Sequence, residues 1–449
     1  MWRSAPSSTV TPTTRSYGLH QPQALTEMFE TLPPPNEHML DHKEFLTREI
    51  EKLRRKLEKQ NKVTRELVLK VLLGKILNGE ALNMREKEMM HRDMENFASI
   101  LLLLCMVVLA PLFPHFNTMA GSLAYSGAAS VGVNYGLLGD NLPPPAQVVT
   151  MLQSKGIKKL RLFDPNPDAL SALDNSGIDV ILGVLHENLQ GIANNTAAAT
   201  QWVNDHVVPH TSTIRFTAIS AGNEILPNGA DSPYILPAMT NLRSALDAAN
   251  LQSIPVSTTI HNVVLGASFP PSAGAFSDKA KAFMEPIARF LKGSNAPLLV
   301  NAYPYYGYAG DPNRVRLDYA IFTANGTVVT DGSLVYQNMF DAILDAFHSA
   351  LEKIASKVDA RDLDLIVAET GWPSAGNPGI TTIDNARTHN NNVVAHVLGG
   401  SGTPKRPGKK FETYLFGLFN ENQKPEGTER NFGLFYPNMT EVYPMKFTD

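Results

Sequence analysis

From residue 129 to the end of the chain, short apolar runs alternate with longer amphipathic segments in a regular order. The apolar runs predict eight buried strands, at residues 131–135, 159–163, 179–184, 214–220, 255–260, 297–302, 363–368 and 411–419. The amphipathic segments predict helices at 145–154, 167–175, 196–206, 234–249, 277–292, 335–356 and 384–398. This alternation predicts an α/β fold, a (β/α)8 TIM barrel with a short or atypical last helix.

A doubly wound open sheet is the alternative that the same alternation leaves open. Such a sheet usually carries a glycine-rich phosphate loop after its first strand. Residues 134–139 (NYGLLG) close the first predicted strand and lack the G-x-G spacing of that loop. The barrel is therefore the preferred prediction, and it gathers functional side chains at the carboxyl ends of its strands.

The first 128 residues have a different composition. Residues 1–40 are rich in Ser, Thr and Pro, which predicts disorder. Residues 41–93 are strongly charged, and their leucine spacing predicts either a short coiled coil or a solvated helix. Residues 94–128 resemble a signal peptide, because an uncharged run at 98–109 is followed by small residues. That run is shorter than the roughly 20 apolar residues of a membrane-spanning helix.

An internal position is unusual for a signal peptide, which normally begins a nascent chain. Met89, Met90 and Met94 are natural start sites just before the apolar run. We therefore favour the hypothesis that residues 1–93 are a mis-joined or alternative upstream segment. The other hypothesis is a cytosolic arm, with the 98–113 segment retained as a membrane anchor. N-terminal sequencing of the mature protein distinguishes the two.

The composition excludes several classes of partner and cofactor. The 449 residues carry 39 Lys and Arg against 43 Asp and Glu, a net charge of -4, and no basic stripe indicates nucleic acid. The one cysteine, Cys105, cannot form a disulfide or a cysteine-based metal site within the chain. The histidines do not pair at ligand spacing on one predicted helix. We expect a monomer that uses neither a metal nor a cofactor.

Two glutamates that follow buried strands carry the strongest functional signal. Glu224 follows the fourth predicted strand, and Glu369 follows the apolar run at 365–368. In a barrel, both carboxylates would face one cleft. A single glutamate at a strand end is most often a surface or capping group, but two such ends suggest paired acid/base chemistry. Glycoside hydrolysis is the leading interpretation, because it uses two opposed carboxylates.

Other predicted strand ends carry groups suited to sugars. The first strand ends in Asn134-Tyr135, the sixth leads into residues 301–306 (NAYPYY), and the eighth leads into 420–424 (NENQK). Aromatic faces can stack on pyranose rings, and amides, lysine and carboxylates can hydrogen-bond to hydroxyls. Core packing is the alternative for the tyrosines. Asn223 either shapes a turn or hydrogen-bonds a sugar hydroxyl beside the reacting carbon.

Six motifs between residues 131 and 435 resemble those of one enzyme family. They are VGVNYG at 131–136, RLFDPN at 161–166, GNE at 222–224, NAYPYY at 301–306, ETGWPS at 369–374 and NFGLF at 431–435. Because the motifs occur in this order and at this spacing, the chain from about residue 131 to 447 closely resembles the plant endo-1,3-β-glucanases, family seventeen of the glycoside hydrolases. The resemblance implies a retaining hydrolase with a long open groove, acting on callose-like or fungal wall 1,3-β-glucan.

The resemblance also implies roles for individual residues. Glu224 matches the family's general acid/base, and Glu369 matches its nucleophile. Glu421, Lys424 and Glu429 match a charged group in the cleft. We expect Lys424 to favour the ionised form of Glu369. The retaining mechanism requires the two carboxylates to lie roughly 5–5.5 Å apart.

Further substrate contacts are expected from aromatic and amide side chains at the strand ends. These are Tyr135, Asn223, Tyr303 and Trp372. Trp372 either lines the groove beside the nucleophile or belongs to the core. Two departures from the family pattern, Ala221 for Val and Tyr306 for Phe, remove no reacting group.

The resemblance favours secretion to the cell wall or apoplast. The sequence through Asp449 shows neither a Cys-rich carbohydrate-binding module nor an apolar tail typical of a lipid anchor. Asn194, Asn325 and Asn438 begin Asn-x-Thr triplets, which predict N-glycosylation sites and are compatible with secretion.

The sequence leaves other functions open. A mixed-linkage 1,3;1,4-β-glucan hydrolase or a glucan transglycosylase would keep the same mechanism. A glucan-binding, membrane-tethered wall protein, with its function in residues 1–93, belongs to another class. The presence of both Glu224 and Glu369 argues against a binding module without activity.

Overall fold

The computed structural model describes residues 129–358 and 362–447. The predictions made for residues 1–128, namely disorder, a charged helix and a signal-like segment, lie outside the described residues. Among the residues that are described, no helix is both long enough and apolar enough to cross a membrane.

The described residues form a closed barrel of eight parallel strands, which confirms the predicted fold. The strands are β1 (Ser130–Tyr135), β2 (Lys159–Leu162), β3 (Asp179–Val184), β4 (Phe216–Asn223), β5 (Val256–His261), β6 (Leu298–Asn301), β7 (Leu365–Thr370) and β8 (Glu412–Leu415). Each strand pairs with its neighbours in the chain, and β1 closes the barrel by pairing with β8. All eight carboxyl ends therefore lie at one rim.

Helices connect the strands on the outside of the barrel. They are α1 (Pro145–Ser154), α2 (Pro167–Leu173), α3 (His186–Asn194), α4 (Thr196–His206), α5 (Ile235–Ala248), α6 (Asp278–Gly293), α7 (Pro304–Gly310), α8 (Leu317–Ala320), α9 (Met339–Val358) and α10 (Ile383–Gly399). After β8 the described chain forms a single 3-10 turn, Thr428–Asn431, in place of a last helix, as predicted.

Four helices differ from the prediction. The sequence did not indicate α3, α7 or α8, because each is short and carries few buried apolar residues. The predicted start of the helix at 335 is wrong, since residues 334–336 pair with 329–331 in a two-stranded ribbon and α9 begins at Met339. The polar break at Gln337-Asn338 separates the two elements, and Asn338 accepts a hydrogen bond from the Asp341 backbone at the helix start.

Apolar side chains of different sizes fill the centre of the barrel. A cluster inside the barrel consists of Ile181, Ala218, Leu299, Ile366, Ala368 and Tyr414. At the opposite end from the functional rim, Lys159 Nζ lies 2.6 Å from Glu412 Oε2, and the Tyr414 hydroxyl donates to Glu412 Oε1 at 2.6 Å. Glu412 is buried and Lys159 is partly buried, so the carboxylate at the amino end of the barrel has a partner on each oxygen.

Gly183 in β3 allows a close approach of backbone that positions the rim. A Cβ atom placed there would lie 2.3 Å from the backbone oxygen of Phe163, which follows β2. Backbone cannot move aside as a flexible side chain can, so the neighbouring strand end would have to shift. Phe163 packs its ring against the Arg161 guanidinium, 4.7 Å from the ring centroid, so the shift would reach the rim.

We predict opposite effects for two glycine-to-alanine substitutions. Gly183→Ala should lower the free energy of unfolding by about 1–3 kcal/mol because of overpacking. Gly191→Ala, in α3, has open space around the new Cβ and should raise stability by about 0.4–1 kcal/mol. Thermal and urea unfolding of both variants measure this difference. A Gly183→Ala protein as stable as the parent would show that the β2–β3 approach is not fixed.

Candidate active site

The strand ends bring Glu224 and Glu369 to the same rim, as the sequence predicted. Glu369 is the fifth residue of β7, and the pairing register of β7 with β6 shifts between Val367 and Glu369. Glu224 comes directly after β4, whose register with β5 shifts between Ser220 and Asn223. Irregularities of this kind re-aim a side chain, and here each one directly precedes or includes a candidate catalytic residue.

The backbone that carries Glu224 has an uncommon conformation. Gly222 has φ +79°, and Glu224 itself has φ +57°, a left-handed value that few residues other than glycine adopt. The Glu224 N–H donates to the Thr259 carbonyl at 2.9 Å, and Ser220 Oγ donates to the Gly222 carbonyl at 3.0 Å. These bonds hold a strained turn that points the carboxylate into the cleft.

Glu369 is almost fully buried and is held by two donors. Arg161 Nη1 donates to Glu369 Oε1 at 2.7 Å, and the Tyr303 hydroxyl donates to Oε2 at 2.8 Å. Arg161, in β2, is itself 1% exposed and forms an ion pair with the carboxylate. Charge-assisted bonds to both oxygens fix the carboxylate in one orientation.

A chain of side chains joins the two glutamates. Arg161 Nη2 donates to Asn223 Oδ1 at 2.9 Å, and it also contacts Thr259 Oγ1 at 3.2 Å. Asn301 Nδ2 lies 3.3 Å from the same Asn223 oxygen and 2.7 Å from Glu224 Oε1. The network therefore gives Glu369 a cationic donor and gives Glu224 a neutral one.

This difference changes the electrostatic environment of the two carboxyl groups unequally. Burial raises the pKa of Glu369 above its usual value; the charge of Arg161 and the bond from Tyr303 oppose this rise, and the charge of Glu224 adds to it. Partial desolvation also raises the pKa of Glu224, although solvent reaches the side chain. The hydrogen bond from Asn301 and the charge of Arg161 lower this pKa, and the charge of Glu429 raises it. Glu369 alone contacts the guanidinium directly, so the cation stabilises the anionic form of Glu369 more directly than that of Glu224.

Lys424 does not contact Glu369, so the expectation that it favours the ionised nucleophile is corrected. Lys424 Nζ pairs with Glu421 Oε2 at 2.9 Å and lies 4.2 Å from the centroid of the Phe416 ring. Arg161 supplies the cation instead. The sequence signal for it was an arginine within an apolar strand, which requires a buried anionic partner.

Glu421 connects the loop after β1 to the loop after β8, and neither of its carboxylate oxygens is free to face the cleft. Its side chain is 3% exposed, with Oε1 accepting the Leu138 N–H at 2.7 Å and Oε2 paired with Lys424. The Gln423 N–H donates to the Leu138 carbonyl at 3.0 Å, so the β1 and β8 loops are joined at two points. Since both oxygens are engaged within the protein, the predicted sugar contact of Glu421 is not supported.

Two predicted substrate contacts lie in the core. Tyr135 is 2% exposed, and burial, followed by the nearby charge of Glu421, raises its pKa to about 12. Trp372 is fully buried; its indole N–H donates to the Ile380 carbonyl at 3.2 Å, and its ring packs edge-on against Tyr305. Neither side chain reaches the surface of the cleft, so the structure gives both a supporting role instead.

The other predicted residues lie at the cleft. Tyr303 contacts Glu369, and Tyr306, 46% exposed, donates its hydroxyl to Glu429 Oε1 at 2.8 Å. The Tyr303 and Tyr306 rings pack edge-to-face, with centroids 5.3 Å apart. This places an exposed aromatic face and a carboxylate beside Glu224, where a sugar could bind.

The remaining predictions concern glycosylation and metal binding. Asn194, Asn325 and Asn438 are all exposed, and glycosylation at them stays a prediction. In the described part of the chain, no group of three or more His, Cys, Asp or Glu side chains could hold a metal ion.

Comparisons with known proteins show one enzyme family over most of the chain. Residues 131–447 match the model of Glycosyl hydrolases family 17. The putative glucan endo-1,3-beta-glucosidase GVI of Hordeum vulgare is 47% identical over 72% of this chain and 98% of its own length. Lichenase-2 of the same organism is 44% identical over 71% of this chain and 98% of its own. The solved structure of CJP38, a beta-1,3-glucanase and pollen allergen of Cryptomeria japonica, has a TM-score of 0.68 and 43% identity, with 71% and 99% of the two chains covered.

The network predicts that Arg161 matters for stability as well as for the site. Arg161→Met would leave Glu369 buried without its cation and should lower the free energy of unfolding by about 3–5 kcal/mol. The matched control is Arg387→Met in α10, whose partner Asp384 is well exposed, and we expect a loss below about 1 kcal/mol. Denaturant unfolding of the two variants gives the comparison. Equal stabilities would mean that the Arg161–Glu369 pair does not stabilise the fold.

Proposed function

Since the chain belongs to family 17 of the glycosyl hydrolases, we propose that it hydrolyses internal 1,3-β-glucosidic linkages of 1,3-β-glucan with retention of configuration. The observation that carries the proposal is the unequal support of two carboxylates at one rim. Glu369 has a guanidinium and a tyrosine hydroxyl as donors, whereas Glu224 has one amide. A retaining glycosidase needs this difference, with one carboxylate ionised and one protonated at the same pH.

In the first step, Glu224 protonates the glycosidic oxygen while Glu369 attacks the anomeric carbon. The bond to the leaving sugar breaks, and a covalent glycosyl-enzyme ester forms on Glu369. Arg161 and Tyr303 orient the attacking carboxylate. They also lower its basicity, so they assist departure of the same carboxylate in the second step.

In the second step, Glu224, now ionised, removes a proton from water, and the water oxygen attacks the anomeric carbon. The ester bond to Glu369 breaks, which frees the Glu369 carboxylate, and the proton taken from water leaves Glu224 protonated again. Asn223 accepts from Arg161 through its Oδ1, which leaves its amide nitrogen to donate to a sugar hydroxyl. Such a bond strengthens as positive charge develops at the neighbouring carbon.

The names of the similar proteins support 1,3-β-glucan as the substrate, but they include a lichenase. Mixed-linkage 1,3;1,4-β-glucan is therefore the second candidate substrate. Initial rates of reducing-sugar release from laminarin and from lichenan separate the two. A rate on lichenan above the rate on laminarin would favour the second candidate.

We predict that Glu369→Gln and Glu224→Gln each lower kcat on laminarin by about 10³-fold or more, because each removes a reacting group. The matched control is Glu441→Gln, in which the lost carboxylate pairs with Lys155 at the surface, and its kcat should stay unchanged. NMR of the first-formed product should show the β-anomer. Parent-like turnover of Glu369→Gln, or an initial α-anomer, would refute the proposed mechanism.

The pH profile should respond to Glu429. kcat/KM falls on the alkaline side as the acid Glu224 loses its proton, and the negative charge of Glu429 raises the pKa of Glu224. Glu429→Gln should therefore move the alkaline limb to lower pH. The acid limb should not move, because the charges that act on Glu369 are Arg161 and Glu224.

A matched control for this measurement lies on the same loop. Glu426 is highly exposed and pairs loosely with Arg430 at 3.6 Å. Glu426→Gln should leave both limbs in place. A shift of the alkaline limb to higher pH in Glu429→Gln would contradict the role assigned to Glu429.

A further inference from the structure

The strained turn that carries Glu224 is held by contacts on two sides, one from a neighbouring strand and one from the helix that follows the other neighbouring strand. On one side, the Thr259 carbonyl of β5 accepts the Glu224 N–H at 2.9 Å. On the other side lies His186, the first residue of α3, which follows β3 after a single residue. β4 pairs with both β3 and β5, so these two contacts act on opposite edges of the same turn.

His186 contacts the backbone of the residue that precedes the acid. Its Nε2 lies 3.0 Å from the Asn223 carbonyl oxygen and 3.3 Å from the Asn223 nitrogen. A protonated Nε2 donates to the carbonyl, and an unprotonated Nε2 accepts from the N–H. Either neutral tautomer therefore bonds to the Asn223 backbone, next to the left-handed residue Glu224.

We propose that His186 is a positioning residue for the general acid/base, which rests on the proposed role of Glu224. A residue with positive φ relaxes when its neighbours permit, and the surrounding bonds must prevent that. Proton transfer needs the carboxyl group within hydrogen-bond reach of the glycosidic oxygen. By holding the Asn223 peptide, His186 keeps the Glu224 carboxyl group at that position.

The nucleophile is held by different elements. Glu369 is bonded to Arg161 from β2 and to Tyr303 after β6, and the bonds of His186 are to the Asn223 backbone. Asn223 Oδ1 also accepts from Arg161, but the ion pair with Arg161 and the bond from Tyr303 hold Glu369 directly. Loss of His186 should therefore impair protonation of the leaving group far more than nucleophilic attack. This separation gives the proposal a signature that a general structural defect would not produce.

The test compares two substrates with the full-length chain and its variants. Laminarin needs protonation of the leaving group, while 2,4-dinitrophenyl β-laminaribioside releases a stable phenolate that needs none. kcat/KM reports the glycosylation step for both. His186→Ala should lower kcat/KM on laminarin about 10- to 100-fold and change the value for the aryl substrate by less than about twofold. His186→Gln, whose amide nitrogen can replace Nε2, should restore the laminarin value to within about threefold of the parent.

Controls separate this inference from the proposed function. Glu224→Gln should show the same substrate split with a larger loss on laminarin; without that split, the acid/base assignment itself fails. Gln190→Ala, on the same helix and bonded to the Tyr234 hydroxyl, should match the parent on both substrates. If His186→Ala does not fold, His186→Phe keeps a ring of similar size without the nitrogen and carries the test.

Three outcomes would overturn the role of His186 while Glu224→Gln behaves as expected. The first is a parent-like laminarin value in His186→Ala. The second is an equal loss of kcat/KM on laminarin and on the aryl laminaribioside. The third is a His186→Gln variant as impaired as His186→Ala.

Discussion

The buried guanidinium of Arg161 is the interaction on which the arrangement of the site depends. A charge that is 1% exposed is tolerated only where anions and carbonyl oxygens surround it, and here these are Glu369, the Ala368 carbonyl and Asn223. The dependence is mutual, because Glu369 is also buried and needs the cation to remain ionised. The two charges fix each other, and Asn223 transmits the position of the guanidinium to the segment that carries Glu224.

The closed barrel fixes the positions of its strand ends relative to one another, and with them the positions of the site residues. β2, β4, β6 and β7 supply Arg161, Asn223, Asn301 and Glu369, and each strand is tied by backbone hydrogen bonds to its neighbours. The direction of a side chain at the rim can still be set locally, by a register shift or by a residue with left-handed backbone. The candidate catalytic groups occur at such positions. The local strain at Glu224 is thus compensated by a rigid scaffold below it.

Much of this could be predicted from the sequence, because fully buried parallel strands produce apolar runs and their ends bring distant residues together. The apolar runs placed Glu224 and Glu369 at one rim. Nothing in the spacing shows which cation contacts Glu369. The expectation therefore fell on Lys424, and the pairing of Arg161 with Glu369 could be identified only in three dimensions. Likewise, an aromatic residue after a strand can point into the cleft or into the core, and periodicity does not distinguish the two for Tyr135 and Trp372.

Trp372 lies in the core but still affects the site, because it belongs to a cluster of packed aromatic rings that supports Tyr303, a donor to Glu369. Tyr303 packs edge-on against Phe416 and Phe432, and Tyr305 packs against Trp372 and Phe432. Edge-to-face contacts fix ring planes as well as positions, so they fix the direction of the Tyr303 hydroxyl. A hydrogen bond to a nucleophile is useful only if its donor is already oriented when charge moves off the carboxylate. Trp372, Phe416 and Phe432, which follow Glu369 in the chain, therefore act on it indirectly, through the aromatic packing that holds the Tyr303 hydroxyl in place.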